Sequence, residues 1–439
     1  MQRRFPLFLI ACGVFVAADR VAVAATLRVP EDYASVLAAV DAAVAGDSVL
    51  VGPGTWTDKD TRTVSGNTAT ACAFPKGGVT IIGIAGADAT VIDAQETGSG
   101  FVDGIAYAGY PGSQLTLEGL TITGGGKGGA GIFAESSGLL VVRSCKVSGM
   151  GNLAGGSAIG IVKLTSNQDL LIEDSEVSFN AGSATPGIQS LRGTLEIYGC
   201  RFEGNAGRAV YLSGTTNQQN VTIQDCEFID NRGANAAAVG LIDPFSILIE
   251  GNLFLRNTNT TGSSAALNAT LCFGPIRNNV FAFDSTLAGY GAGIYLASYG
   301  GTISENTFYR CYADPSRGAS AVLFGSGSSA VAFRNNIVAE CEGSGIAWVQ
   351  PGETPQLSCN GIWDNSGGLG DYVPDATDRF LDPLFCDAPL LDFALSDASP
   401  YAPANSPNCG QVGSFGAACG MIGIEQTSWG KIKGRYRGD

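Results

Sequence analysis

From Leu115 to Asn365 the chain repeats one phrase, a single apolar position set among small and polar ones: LEGLTITG, RSCKVSGM, EDSEVSFN, YGCRFEGN, QDCEFIDN, EGNLFLRN, RNNVFAFD, SENTFYRC, RNNIVAEC and SCNGIWDN. The matching apolar residues are Ile122, Val147, Val177, Phe202, Phe228, Phe254, Phe281, Phe308, Val338 and Ile362, spaced 24 to 30 residues apart. A period of this length marks stacked coils, each burying its apolar side only against its neighbours. Within a unit, short alternating runs such as those starting at Leu195 (LEIY) and Ala209 (AVYL) lie between Gly, Asn and Asp, and no run there has the period and length of a helix. Three short strands per coil follow, in about ten to twelve coils spaced by one inter-strand distance.

Two polar columns keep the same register. Two residues before the apolar position stand Cys145, Ser175, Cys200, Cys226, Asn252, Asn279, Asn306, Asn336 and Asn360, and three after it Asn180, Asn205, Asn231, Asn257, Asp284, Cys311, Cys341 and Asn365. Coils stacked about 4.8 Å apart bring like amides above one another, so that each bonds the next along the axis. The residue before the first column is Ser144, Asp174, Gly199, Asp225, Gly251, Asn278, Glu305 or Asn335. These are mostly types that tolerate a left-handed backbone or bond their own turn, so a tight bend recurs there.

On this repeat the chain resembles the right-handed parallel β-helix (pectin-lyase-like) superfamily, including its NosD-type and other extracellular repeat members. The resemblance covers roughly Thr26 to Cys419 and implies an all-β solenoid with a short N-terminal capping helix. The segment LRVPEDYASVLAAVDAAVAGDSVLVGPGTW from Leu27 resembles the usual start, with Val36, Leu37, Val40 and Val44 on one helical face. The phrase DPLFCDAPLLDFALSDASPYAP, Asp382 to Pro403, resembles a closing segment that would shield the last coil. The resulting division is a signal peptide at 1–24, an N-terminal cap and first coils at 25–114, regular coils at 115–365, a C-terminal coil and cap at 366–424, and a short basic tail at 425–439.

Composition narrows the function. The charge is -15, and Lys and Arg are too scattered to release counterions from a nucleic acid. With no histidine, Ser/His/Asp and Cys/His catalysis and histidine-ligated zinc are unavailable. Arg3 and Arg4, an apolar run closed by Asp19 and Arg20, and Ala22-Val-Ala read as a secretory signal rather than a membrane span. Its removal leaves 22 minus 39, or -17, and 11 cysteines. Export, no transmembrane segment and a monomer are expected. The tail motif SWGKIKGRYR is basic against an acidic body, the pattern of a sorting or anchoring tag.

Candidate chemistry is sparse. The superfamily implies pectate lyases, polygalacturonases and pectin methylesterases, but there is no Gly-His-Gly phrase, and no Asp-Phe-Ile-Phe-Gly or Leu-Gly-Arg-Pro-Trp segment. A lyase needs only a basic group and a stabilising cation, for which Arg208, Arg232, Arg256 and Arg317 are the nearest candidates. Lys146, Glu176, Arg201 and Glu227 alternate in sign along one column and read as a salt-bridged ladder, as do Arg310 and Glu340. One outward strand face should carry Val162, Gln189, Tyr211, Gly240, Tyr295, Leu323 and Ala347, with Ile161 and Ile188 among the residues pointing inward. Tyr211, Tyr295 and nearby Tyr299 are the ligand-binding candidates, able to stack on sugar rings. Cys200 with Cys226 and Cys311 with Cys341 are near enough to bridge, but in-register side chains point the same way, which favours free thiols; Cys409 with Cys419 is the expected disulfide. No cofactor is required; Asp58 and Asp60 could hold Ca²⁺, although a lone acidic pair is ordinarily just solvated. The preferred reading is a secreted or cell-surface, polysaccharide-associated or partner-binding rod without an evident catalytic set. Its variable loops at Asn257–Leu267, Asp284–Gly293 and Cys311–Ser320 offer the binding surface. The alternatives are a polysaccharide lyase or glycoside hydrolase, and a structural or adhesive surface repeat.

Overall fold

The computed structural model describes residues 24–419, apart from 65–66, 96–101, 126–129, 136–137, 151–158, 165–167, 182–186, 191–192, 214–219, 263, 290, 314–320, 329–330, 349–354 and 370–371. The expected signal peptide at 1–24, up to residue 23, the expected tail at 425–439 and Arg317 lie outside the described residues. Each coil supplies one strand to each of three long sheets: sheet A with 13 strands, from Thr26–Val29 to Gln356–Ser358, sheet B with 12, from Gly54–Trp56 to Gly361–Trp363, and sheet C with 12, which ends on Ile346–Trp348. Pairing within them is parallel except for the hairpin of Asp60–Val64 with Asn67–Ala73 at the edge of sheet C. The chain is therefore the expected all-β solenoid. The expected variable loops differ: Thr258–Thr261, Ser285–Thr286 and Tyr312–Ala313 join Arg232–Ala234 in a fourth, four-stranded parallel sheet, so several coils have four strands. Short loops in register find the same backbone partners as the strands beside them.

The repeated apolar position is the core. Phe202, Phe228, Phe254, Phe281 and Phe308 stack face to face with centroids 4.7 to 4.9 Å apart, the spacing that the strands impose. Beside them run both amide columns. Asn252 donates Nδ2–H to Asn279 Oδ1 at 3.0 Å and to the Ile223 carbonyl at 2.9 Å, and the pattern continues through Asn306 and Asn336 to Asn360. The amides of this column are thus satisfied inside an apolar stack. The bend residues between sheets A and B do take the left-handed conformation, with φ of 47° at Asp174 and 54° at Asp225.

Both ends are closed. The helix α1, Val36–Ala42, is capped by Ser35, whose Oγ accepts from the Ala38 amide, and it buries Val36, Ala39 and Val40 against the first coil. At the other end Asp378 terminates the amide column by accepting from Asn360 Nδ2 at 3.2 Å, while Tyr372 donates to it at 2.7 Å. The later segment meets the last coil, where Tyr401 lies against Gly361, but it does not stop there. It turns back along the outside of sheet B: Phe393, Leu395, Val412 and Phe415 pack on Leu253, Val280, Tyr309 and Ile337, and the Ser414 amide donates to Thr307 Oγ1 at 3.1 Å. The reason lies in the strands, whose outward residues become apolar from Ile229 onward and require a cover.

The disulfides fasten that cover. Cys409 bonds Cys359 on the last coil and Cys419 bonds Cys386, replacing the expected Cys409–Cys419 bridge. Asn335 explains the choice for Cys409: its Nδ2 donates to the carbonyls of Cys409 and Gln411, which holds this segment against the end of the rod. Among the described residues the remaining cysteines are buried free thiols, Cys200, Cys226, Cys311 and Cys341 included.

Candidate functional site

Covering one half of the outer face of sheet B leaves the other half open. On the covered coils the outward residues are Leu253, Val280, Thr307 and Ile337 in one row and Leu255, Ala282, Tyr309 and Ala339 in the next, all buried. On the open coils the same rows read Thr121, Lys146, Glu176, Arg201 and then Ser148, Ser178, Glu203. The change falls at Glu227 and Ile229, both buried under the edge of the cover. One continuous sheet is thus apolar where the chain folds back on it and charged where it faces solvent.

The open coils form a groove of about 350 Å³ lined by Asp88, Lys146, Asp174, Glu176 and Arg201 among others. Lys146, Glu176, Arg201 and Glu227 are register partners in turn, as their alternation implies. Arg201 pairs with Glu227 and, at 2.8 Å, with Glu203. Lys146 reaches instead to Asp88 at 2.6 Å, because the turn Gly86–Ala89 stands over this end of the column, and Glu176 accepts from Ser178 Oγ at 2.6 Å. The ammonium beside it holds the Asp88 carboxyl below the usual carboxylate range. Asp88 escaped the sequence reading because it belongs to a turn 58 residues before Lys146 and carries no repeat position. The arrangement presents fixed donors and acceptors in rows one strand apart, suited to hydrogen-bonding an extended polar chain.

The three tyrosines do not form one site. Tyr299 is 1% exposed and its hydroxyl donates to the Gly274 carbonyl, so it is a core residue rather than a stacking platform. Tyr211 and Tyr295 do share the outward column of sheet C, but Gly240 and Asn268 lie between them, which places them about 14 Å apart. Arg208 covers the Tyr211 ring at 4.0 Å, and Tyr295 packs on Leu323 and Ala347. One strand of this column also shifts: Val162, not Ile161, aligns with Ile188, and Lys163 pairs with Gln189, following a register irregularity between Ala130 and Ile132.

Of the remaining candidates among the described residues, Arg232 is exposed on the strand Arg232–Ala234 and Asp58 is exposed, while the others are held by partners. Arg256 forms a two-point pair with Asp230 at 2.8 Å, and Arg310 pairs with Glu340 at 2.7 Å. Asp60 accepts from Arg62 Nε at 2.9 Å and from the Thr61 amide at 2.8 Å, bonds that favour its ionised form. Among the described residues no group of three or more His, Cys, Asp and Glu is placed to hold a metal ion, and no helix is long and apolar enough to cross a membrane.

The segments 56–218, 103–281 and 192–362 match, in overlapping registers, the family model described as right handed beta helix region. No curated protein matches the chain. Among solved structures, a pectate lyase is similar at 14% identity over 87% of this chain and 90% of that one, with a TM-score of 0.37. The A-module of a mannuronan C-5 epimerase from Azotobacter vinelandii is similar at 14% identity over 79% and 94%, with a TM-score of 0.36. A pectin methylesterase mutant in complex with a hexasaccharide is similar at 14% identity over 87% and 98%, with a TM-score of 0.25.

Proposed function

The chain belongs to the right-handed β-helix family, and from that premise we propose that it is an exported, polysaccharide-associated rod that binds through the open charged half of sheet B without cleaving its ligand. One observation carries this reading: the C-terminal segment covers the apolar coils of the sheet and leaves the coils of Lys146, Glu176 and Arg201 to solvent. A rigid row of charged and hydroxyl groups gains little from burying apolar surface and much from hydrogen bonds to a polar chain laid along it. Binding is preferred to lysis because the groove cations already have carboxylate partners, Asp88 for Lys146 and Glu203 with Glu227 for Arg201. A lyase would need such a cation free to meet the charge that develops on its substrate.

The test is incubation of the mature protein with acidic and neutral polysaccharides, with and without Ca²⁺, following unsaturated products and retention on insoluble glycans. Retention without products is expected. Unsaturated products would make the protein a lyase, and neither signal would favour the structural or adhesive reading.

A further inference from the structure

A second groove, of about 520 Å³, lies at the opposite side of the N-terminal cap, between the end of α1, the antiparallel hairpin and the coil that carries Tyr110. Its floor is apolar: Val64, Phe74 and Ala106 are buried there, and they pack as a small cluster of their own apart from the main core. One wall is the ring of Tyr110, which is 54% exposed although its backbone is fixed. Ser113 accepts from the Tyr110 amide at 2.8 Å and donates to its carbonyl at 2.7 Å, and the buried Tyr107 hydroxyl meets the same Ser113 oxygen at 2.8 Å. Gly77 passes beneath the ring, where a Cβ would come within 2.9 Å of Tyr110 Cε1. The backbone that carries the aromatic wall is therefore fixed by Ser113.

The two cations at the rim differ in kind. Arg62 is saturated, paired through both terminal nitrogens with Asp41 at 2.5 and 2.7 Å and through Nε with Asp60 at 2.9 Å. Lys76 instead donates to two carbonyls at the end of α1, those of Asp41 at 2.9 Å and Ala43 at 3.0 Å, and no carboxylate pairs with it among the described residues. Its ammonium has a third donor beyond these two bonds, beside an apolar floor and the Tyr110 ring. A ligand filling the groove must supply an anionic group for that donor and a flat apolar body for the rest. A sugar, with hydroxyls on every side, would leave most of them unpaired against Val64, Phe74 and Ala106.

We infer that this groove is a binding site for a small aromatic carboxylate, its ring against Tyr110 and its carboxylate on Lys76. The volume lies in the range of small-molecule sites, about 300 to 1,000 Å³. The site is separate from the open face of sheet B and does not depend on it.

Isothermal titration of the mature protein with 4-hydroxybenzoate, and with the neutral 4-hydroxybenzamide of almost the same shape, tests the inference. Saturable binding of the acid is expected, at least tenfold tighter than that of the amide. Tyr110→Ala and Lys76→Met should each weaken it tenfold or more. Because Lys76 also ties the end of α1, Tyr110→Ala and the acid-against-amide comparison are the readings independent of that tie. Absence of saturable binding, equal binding of acid and amide, or binding unchanged in Tyr110→Ala would each overturn the proposal.

Discussion

Asn257 donates Nδ2–H to Asp284 Oδ1 at 2.9 Å, so the second amide column passes from an amide to a carboxyl group inside the core. Asp284 is fully buried, and burial pushes its pKa up to about 8, against the bonds from Asn257 and the charge of Arg256, which favour the ionised form. Its folded pKa is thus raised above the unfolded value of about 3.9. Such a group contributes stability that is fully present below the unfolded pKa and is lost as pH rises through the folded one. The denaturation midpoint should fall between about pH 4 and pH 8, by the equivalent of a few kcal/mol. Asp284→Asn restores the amide found at the preceding positions of the column and should flatten that dependence. Denaturant titrations of both proteins at pH 5 and pH 8.5 would show it; parallel pH profiles would refute the assignment.

The phenylalanine stack should behave as a packed column. Phe254 lies 4.9 Å from Phe228 and 4.7 Å from Phe281, and all three are fully buried. Phe254→Ala should cost about 3 to 5 kcal/mol, and Phe254→Leu appreciably less. Equilibrium unfolding with a fluorescence probe measures both; a loss below 1 kcal/mol for the alanine variant would mean that the stack is not a principal part of the core.

Loosening the cover should expose the apolar half of sheet B. Cys409→Ser removes the bond to Cys359 and frees the segment that lies on Thr307 and Ile337. A stability loss of about 2 to 5 kcal/mol and increased binding of an apolar dye at native pH are expected. Unchanged dye binding would argue that packing alone holds the segment.

Much of this was legible in the sequence, because a solenoid writes its fold as a period. Each coil meets the same neighbours, so the positions of Phe202, Asn231 and Asp174 disclosed strand, ladder and bend together. Non-repeating parts were less readable. The C-terminal segment has no period, and its destination depended on a gradual change of outward residues from Lys146 and Glu176 to Val280 and Ile337, which is visible only once strands are placed in one sheet. Cys409 could be paired with Cys359 only after that docking was known. Tyr299 was misplaced for a related reason: alternation on the strand Ile294–Ala297 stops at the left-handed Ser298, which turns the following ring inward. The partner of Lys146 came from a turn far away in the chain, beyond the reach of any local pattern.

Charge on the open face should matter for binding more than for stability. Lys146 and Asp88 form an exposed pair, and such pairs contribute little to stability. Lys146→Ala should therefore unfold at nearly the same denaturant midpoint as the parent while its retention on a bound polysaccharide falls several-fold. A variant that loses stability and retention together would show the pair to be structural.

The most direct measurement is retention on the polysaccharide that holds the parent best, compared between the double variant Lys146→Ala, Glu176→Gln and the single variant Tyr295→Ala on sheet C. The account predicts that the sheet B variant is released while Tyr295→Ala is held like the parent. Release of Tyr295→Ala with full retention of the double variant would contradict it and move the binding face to the other side of the rod.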